Sequence, residues 1–328
     1  MMRYAAAAIG LVAMSGQLAL AQTDSFVQQR EAEATKNAST GFSIRFADDR
    51  RAFRPGETIA LVFTFRRYDV SPYNYEHDSG LGRADAVLDH SDGTADPRAD
   101  FWNNGIIMLE GGIRSGVAGG IIGGEPKEPP TVEFVVYLNQ ALRFDRPGTY
   151  RVYVRSRHRG LGHTGDALLP PLISNILEFT IAERDQAWEA RTFDEAIRVV
   201  DSSDNTTART NAARSISYLG TTQAIDEMTR RLYRNPPFRD GPSDLDSYLD
   251  SHWRFGLYGG PDRSRVVRQM ERELDRAERY VSPRFVSDLA LLELTRRSDS
   301  RPIDRSAYES AVRSYSIRHL AAVRSRSR

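Results

Sequence analysis

The spacing of apolar residues changes near residue 183, and this change restricts the possible folds more than any other feature of the chain. From about residue 41 to 183, apolar residues recur at every second position, which is the period of a strand with one buried face. Beyond that region they recur with the 3.6-residue period of amphipathic helices. We therefore predict a β-rich part over 41–183 and an α-helical part over 184–323.

Four segments carry the clearest strand pattern besides Phe42–Phe46. They are Ile59–Phe65, Thr131–Leu138, Tyr150–Val154 and Leu177–Ile181. A tight turn is predicted at Arg54-Pro55-Gly56-Glu57, where proline presets φ and glycine accepts a positive φ. Because no helical period separates these segments, they predict an antiparallel sandwich, with residues 68–102 and 110–125 as long insertions.

The segment Asp145-Arg146-Pro147-Gly148-Thr149-Tyr150 places an acid, a tight turn and a tyrosine directly before an alternating strand. It resembles the penultimate strand of immunoglobulin-like domains. The resemblance implies that the Tyr150 hydroxyl bonds back to the preceding corner. A plain Pro-Gly turn before a half-buried strand tyrosine is the alternative, and in both cases Tyr150 is structural.

The helical part begins with a stretch containing Trp188, Ile197 and Val200. Asn205 or Thr206 is the expected N-cap of the next helix, which has an apolar stripe and ends at Gly220. Thr222 is the expected cap of the helix after that. The stripe consists of Ala208, Ala212, Ala213, Ile216 and Leu219. The run Ala212–Gly220 with Ala224-Ile225 and Leu232 resembles a HEAT-type repeat, of the kind also found in bilin-lyase-like proteins.

A second helix-stopping signal, the glycine pair Gly259-Gly260, follows Gly220 at the spacing of about 40 residues that such repeats have. The resemblance implies an irregular HEAT-like stack of three helical pairs over roughly 205–325. A plain helical bundle remains the alternative. The basic residues 324–328 are expected to form a disordered tail.

Residues 1–21 have the pattern of a secretory signal peptide: Arg3, an apolar run, and Ala19-Leu20-Ala21 at the end. Cleavage between Ala21 and Gln22 would leave no stable membrane anchor. The chain has no cysteine, and an exported chain without disulfides favours a bacterial periplasmic or secreted location. Residues 22–40 form a polar leader, predicted as either a mobile segment or one frayed helix.

Composition argues against several kinds of chemistry. The formal net charge is +1, which argues against nucleic acid as a partner. Only Lys36 and Lys127 are lysines, and both lie in polar surroundings, so lysine catalysis is not expected. The six histidines show no H-E-x-x-H or H-x-H pattern, and no catalytic motif occurs. A metal held by His158 and His163 across a short loop is the alternative, for which the sequence offers no clear third ligand. We expect no cofactor, no metal and no enzymatic activity.

Two insertions have unusual composition. The first contains the candidate ligand-binding residues Tyr73, Tyr75, His77 and Trp102, because aromatic and polar side chains on a long loop can stack on and hydrogen-bond a sugar or peptide. A long connection packed on the sheet edge is the alternative. The second, the glycine-rich segment 111–124, lacks the lysine of a phosphate loop and suggests a flap.

In combination, these features resemble exported bacterial proteins with an immunoglobulin-like domain followed by HEAT-like helices. The resemblance implies a non-enzymatic binding or scaffolding protein of the cell envelope, whose partner is an envelope protein or a glycan. The alternative is an exported carbohydrate-active or glycan-binding accessory protein with its site in the 68–102 loop.

Overall fold

A β-rich region precedes a helical region, as the change in apolar spacing predicts. The computed structural model describes residues 25–35, 41–66, 84–89, 131–140, 142–156, 172–234, 245–260, 262–276, 281–297 and 304–326. Among them, eight strands lie between residues 41 and 181, and seven helices lie between residues 186 and 326.

The strands form two sheets. In chain order the strands are β1 (Gly41–Phe46), β2 (Ala52–Phe53), β3 (Ala60–Arg66), β4 (Ala84–Leu88), β5 (Thr131–Tyr137), β6 (Gly148–Ser156), β7 (Leu172–Ile173) and β8 (Leu177–Ile181). The first sheet has the order β1-β3-β5, and the second has the order β2-β8-β6-β4, with β7 also paired to β6. All pairings are antiparallel except that of β2 with β8.

One hydrophobic cluster joins the inward faces of both sheets. Alternation places Phe42, Ile44 and Phe46 of β1 in this cluster, together with Val152 and Val154 of β6. Gly56 has the predicted positive φ, 76°. The predicted hydrogen bond of Tyr150 is also present, since its hydroxyl donates to the Arg146 carbonyl at 2.9 Å. The tyrosine therefore braces the turn that leads into β6.

Strand β4 lies within the segment 68–102, which the sequence analysis treated as an insertion without strands. That expectation was wrong for Ala84–Leu88. Ala86 and Leu88 enter the core between the sheets, whereas Val87 is buried on the opposite side of the sheet. Because both faces are covered, the apolar residues here are consecutive and show no alternation.

Residues 25–34 within the polar leader form a helix, α1, rather than a mobile segment. Phe26 is only 5% exposed and packs with Val87, Tyr153 and Ile173. This cluster lies outside the main core of the sheets. Phe26, with Ala34 packed against the same cluster, therefore docks an otherwise polar segment.

Four residues separate β8 from the helical region. Its helices are α2 (Gln186–Ser202), α3 (Thr206–Leu219), α4 (Thr222–Arg234), α5 (Leu245–Tyr258), α6 (Arg263–Arg276), α7 (Pro283–Arg297) and α8 (Arg305–Arg326). The Asn205 side chain caps α3 by accepting from the Ala208 N–H at 3.0 Å, and Gly220 ends α3 with φ 61°. Both features were predicted.

The cap of α4 was predicted one residue too late. Thr222 is the first helical residue, and the Thr221 hydroxyl accepts from the Ala224 N–H at 3.2 Å. Two adjacent threonines offer the same side-chain acceptor, and the position of the left-handed Gly220 decides which one lies outside the helix.

One hydrophobic core connects helices that are neighbours in sequence and helices that are two apart. Helix α3 packs on α2 and α5, and α4 packs on α5 and α6. The approach of α5 to α3 requires Gly256, because a Cβ at this position would lie 2.8 Å from the Ser217 Cα. Small residues therefore set the distance between these helices.

The expected disordered tail at 324–328 was wrong in its first part, because α8 continues to Arg326. Val323 is 6% exposed and belongs to the helical core, and the Arg326 guanidinium donates to the Asp275 carbonyl. Because Val323 is anchored in the core directly before the basic residues, the helix continues as far as Arg326.

Candidate functional site

The candidate residues from the sequence, Tyr73, Tyr75, His77 and Trp102, lie outside the described residues. The same holds for the cleavage position Ala21/Gln22, for segment 111–124 and for His158 and His163. Within the first insertion, Asp89 is described directly after β4. It accepts from Arg151 Nε at 2.8 Å, which ties this residue to strand β6.

An open groove of about 440 Å³ lies between helices α2 and α3. Its floor is apolar and is formed by Ala196, Val199, Ala208 and Ala212. Alanine at three of these four positions leaves space between two helices that are otherwise in close contact. The sequence places Ala208 and Ala212 in the apolar stripe of this helix and gives no sign that they line a groove.

Trp188 is a half-buried aromatic side chain on the lining of this groove. The Arg54 guanidinium carbon lies 5.5 Å from the centroid of the Trp188 ring, and the Arg54 Nε lies 3.8 Å from Asp185 Oδ2. Asp185 also caps α2 by accepting from the Trp188 N–H at 2.9 Å. A cation from the β-rich region thus lies over the indole, and the helix cap fixes the backbone of Trp188.

Polar side chains surround the apolar floor. Arg191 and Glu195 are exposed on α2, whereas Asn211 and Ser215 lie on α3. The Asn211 side-chain oxygen accepts from Arg214 Nη1 at 2.7 Å, which orients its amide. The groove therefore combines apolar contact area with a cation, an anion and amide and hydroxyl groups, the composition of a ligand-binding surface.

Helix α3 also contacts the β-rich region on another side. The Arg214 guanidinium carbon lies 3.8 Å from the centroid of the Tyr137 ring, and a Cβ at Gly56 would lie 2.9 Å from the Leu219 Cα. Arg143 Nη1 donates to the Gly259 carbonyl at 3.0 Å. These contacts leave a cavity of only about 30 Å³, which is room for about one water molecule. The interface therefore fixes α3 relative to the sheets and is too tight for a ligand.

The titratable groups near this interface are desolvated. Burial first, and the charge of Arg214 second, lower the pKa of His252 to about 4. Burial raises the pKa of Tyr218 well above its usual range. His252 is therefore neutral at pH 7, and its Arg214 neighbour is the cation of this cluster.

A buried ionic cluster lies deeper in the helical core, between α5 and α7. Arg254 Nε and Nη2 donate to the two Asp288 oxygens at 2.8 and 2.7 Å, and the Tyr258 hydroxyl donates to Asp288 Oδ1 at 2.7 Å. These three residues are 8%, 3% and 5% exposed. The carboxylate accepts three hydrogen bonds and is closed to solvent, so the cluster joins two helices.

Within the described ranges, no group of three histidine, aspartate or glutamate residues could hold a metal ion. No helix in the described part of the chain is both long and apolar enough to span a membrane. Comparisons with protein-family models, with curated proteins and with solved structures find no match to the chain. The groove between α2 and α3 is the site that the geometry supports best.

Proposed function

We propose that this chain is an exported, non-enzymatic binding or scaffolding protein of the bacterial cell envelope that holds a peptide segment of an envelope protein in the α2–α3 groove. The observation that carries this proposal is the groove itself, which has an alanine floor, a braced tryptophan and a polar rim. A segment with small apolar residues and both kinds of charge complements this lining.

The proposal includes an immunoglobulin-like sandwich followed by HEAT-like helices. The Tyr150–Arg146 hydrogen bond and the core shared by two antiparallel sheets support the first part. The second part is supported by α5 ending at Tyr258, immediately before Gly259-Gly260, and by packing between helices two apart. Repeat helices of this type present extended concave surfaces to partners.

Site-specific photo-cross-linking in envelope extracts tests the proposal. A benzophenone amino acid replaces Asn211, which lines the groove, and in the control it replaces Thr207, which is exposed on the same helix outside the groove lining. We expect a discrete protein adduct from position 211 and none from position 207. Ala208→Arg, which fills the groove, should remove the adduct.

The outcome that contradicts the proposal is equally specific. If position 211 gives no adduct, or if an adduct persists at equal yield with Ala208→Arg, the groove is not the binding surface. Unfolding of each variant by urea, followed by circular dichroism, controls for loss of structure. Since Ala208 is only partly buried, its replacement should leave the unfolding midpoint close to that of the parent chain.

A further inference from the structure

Arg214 of α3 is one of two arginines that are buried in the described part of the chain. It is 8% exposed, as is Arg254. The charge of Arg254 is balanced by Asp288, which accepts hydrogen bonds from its Nε and Nη2 atoms. The hydrogen bond from Arg214 Nη1 goes to an amide instead, at 2.7 Å from Asn211 Oδ1. Among the described residues, no carboxylate forms an ion pair with Arg214, and its buried Nε has no hydrogen-bond partner.

The described side chains around Arg214 are neutral. Its guanidinium carbon lies 3.8 Å from the centroid of the Tyr137 ring. Burial first, and the charge of Arg214 second, lower the pKa of His252, so the imidazole is neutral at pH 7. Burial raises the pKa of Tyr218, so this phenol is neutral as well. An aromatic ring and one amide oxygen balance a buried cation less fully than a carboxylate does, and the surroundings of Arg214 are therefore short of negative charge.

The guanidinium adjoins the α2–α3 groove through Asn211, which is exposed and belongs to the groove lining. Because the Asn211 side-chain oxygen accepts from Arg214, the amide nitrogen is left as a donor beside the guanidinium. The N–H groups of a guanidinium form a planar fork that matches the two oxygens of a carboxylate. Arg214 and Asn211 thus place a cation and an amide donor side by side at the edge of the groove, an arrangement suited to a carboxylate.

We propose that Arg214, together with Asn211, binds a carboxylate group of the peptide segment in the α2–α3 groove. The inference names the chemistry of the ligand and rests on the proposed function for the identity of that ligand as a peptide. The carboxylate belongs to an acidic side chain or to the carboxyl terminus of the segment. It takes the place beside Arg214 that Asp288 has beside Arg254. Because the Tyr137 ring covers one face of the guanidinium, the carboxylate meets its N–H edge.

Titration with acetate and acetamide tests the carboxylate site by itself. The two probes have nearly the same shape, and only acetate carries a charge. The chain from Gln22 onward is isotope-labelled at tyrosine and histidine, and nuclear magnetic resonance follows the ring signals of Tyr137 and His252 at pH 7 and constant ionic strength. We expect acetate to shift both signals in a saturable way and acetamide to leave them unchanged. Arg214→Met should weaken acetate binding at least about tenfold.

Arg198→Met is the matched control, because the Arg198 side chain on α2 is 66% exposed and outside the groove lining. It should leave acetate binding unchanged. Equal shifts with acetamide, or an acetate affinity of Arg214→Met equal to that of the parent chain, would overturn the site. If Arg214→Met fails to fold by circular dichroism, Arg214→Lys is the variant, since it keeps the charge and loses the planar fork. Its acetate affinity should also fall, and an affinity like that of the parent would count against the site equally.

Photo-cross-linking from Thr192 tests whether the bound peptide supplies the carboxylate. Thr192 lines the groove from α2, so a benzophenone amino acid at this position leaves Arg214 and Asn211 in place. We expect Arg214→Met to lower the adduct yield from envelope extracts at least about tenfold, whereas Arg198→Met should not change it. Mass spectrometry of the adduct distinguishes the two sources of the carboxylate, because the cross-linked segment contains either an internal aspartate or glutamate or the carboxyl terminus of its protein.

The failure of this inference and the failure of the proposed function give different results. An adduct that keeps its yield with Arg214→Met would mean that the groove binds a segment and that Arg214 does not bind its carboxylate. Saturable acetate binding without any adduct would overturn the proposed function and the peptide as the source of the carboxylate. If acetate does not bind at all, Tyr137 and Asn211 balance the cation by themselves and the site is refuted.

Discussion

Asp288→Ala tests the buried ionic cluster between α5 and α7. The carboxylate is 3% exposed and accepts two hydrogen bonds from Arg254 and one from Tyr258. Its removal breaks both hydrogen bonds to the Arg254 guanidinium, which is 8% exposed. Removing one partner of a buried ion pair costs about 3–5 kcal/mol, so we expect the free energy of unfolding to fall by this amount.

Urea unfolding of the chain from Gln22 onward, followed by far-ultraviolet circular dichroism, measures the loss. Glu309→Ala is the matched control, because the Arg305–Glu309 pair is 91% and 56% exposed. We expect a change below about 0.5 kcal/mol for the control. The double variant Arg254→Met/Asp288→Leu should recover most of the loss, since an apolar pair of similar volume replaces the charges.

Two results would refute this reasoning. A loss below about 1 kcal/mol for Asp288→Ala would mean that the buried charge is compensated by other groups or by water. A double variant as unstable as Asp288→Ala would mean that the lost packing, and not the uncompensated cation, determines the cost.

Two further predictions concern the β-rich region and the response to pH. Tyr150→Phe removes the hydrogen bond to the Arg146 carbonyl and should lower the free energy of unfolding by about 1 kcal/mol, measured as a lower thermal midpoint. The pKa of His252 is lowered from its usual 6.5 to about 4, so the unfolded chain binds the proton more readily than the folded chain. Stability should therefore rise with pH between about 4 and 6.5 and be fully present above that range. His252→Gln should flatten this rise in urea midpoints, and an unchanged pH profile would contradict the assignment.

Local patterns predicted the elements whose signals lie within a few residues. Alternation identified β6, and the Asn205 cap and Gly220 marked both ends of α3. The hydroxyl bond of Tyr150 spans only four residues, so it too was predictable from a local motif. In each case the physical cause, one buried face or one capped terminus, depends on residues that are close together in the sequence.

The errors have a common origin in contacts made by distant parts of the chain. The apolar residues of β4 do not alternate with polar ones, because Val87 packs with Phe26 of α1 whereas Ala86 and Leu88 face the core between the sheets. For residues 22–40 the sequence left a mobile segment and a frayed helix open, because the contact of Phe26 with Tyr153, which docks α1, joins residues that are far apart in the chain.

The groove between α2 and α3 shows the same limit. The sequence predicts Ala208 and Ala212 only as members of an apolar stripe along one helix; Ala212 belongs to the helical core, and both residues also line the groove. Whether such residues are covered depends on the distance to the neighbouring helix and on where Trp188 and Arg54 lie, which no local pattern encodes.

By itself, the amino-acid sequence determined the order of the two regions, strands first and helices second, because the period of apolar burial is a property of each segment alone. The tertiary structure decided which strands are buried on both faces and which surface between helices stays open. It also decided which charges are buried together, as in the pair of Arg254 and Asp288. Those outcomes depend on the distances between segments that are remote in sequence, and they exist only once the segments have packed.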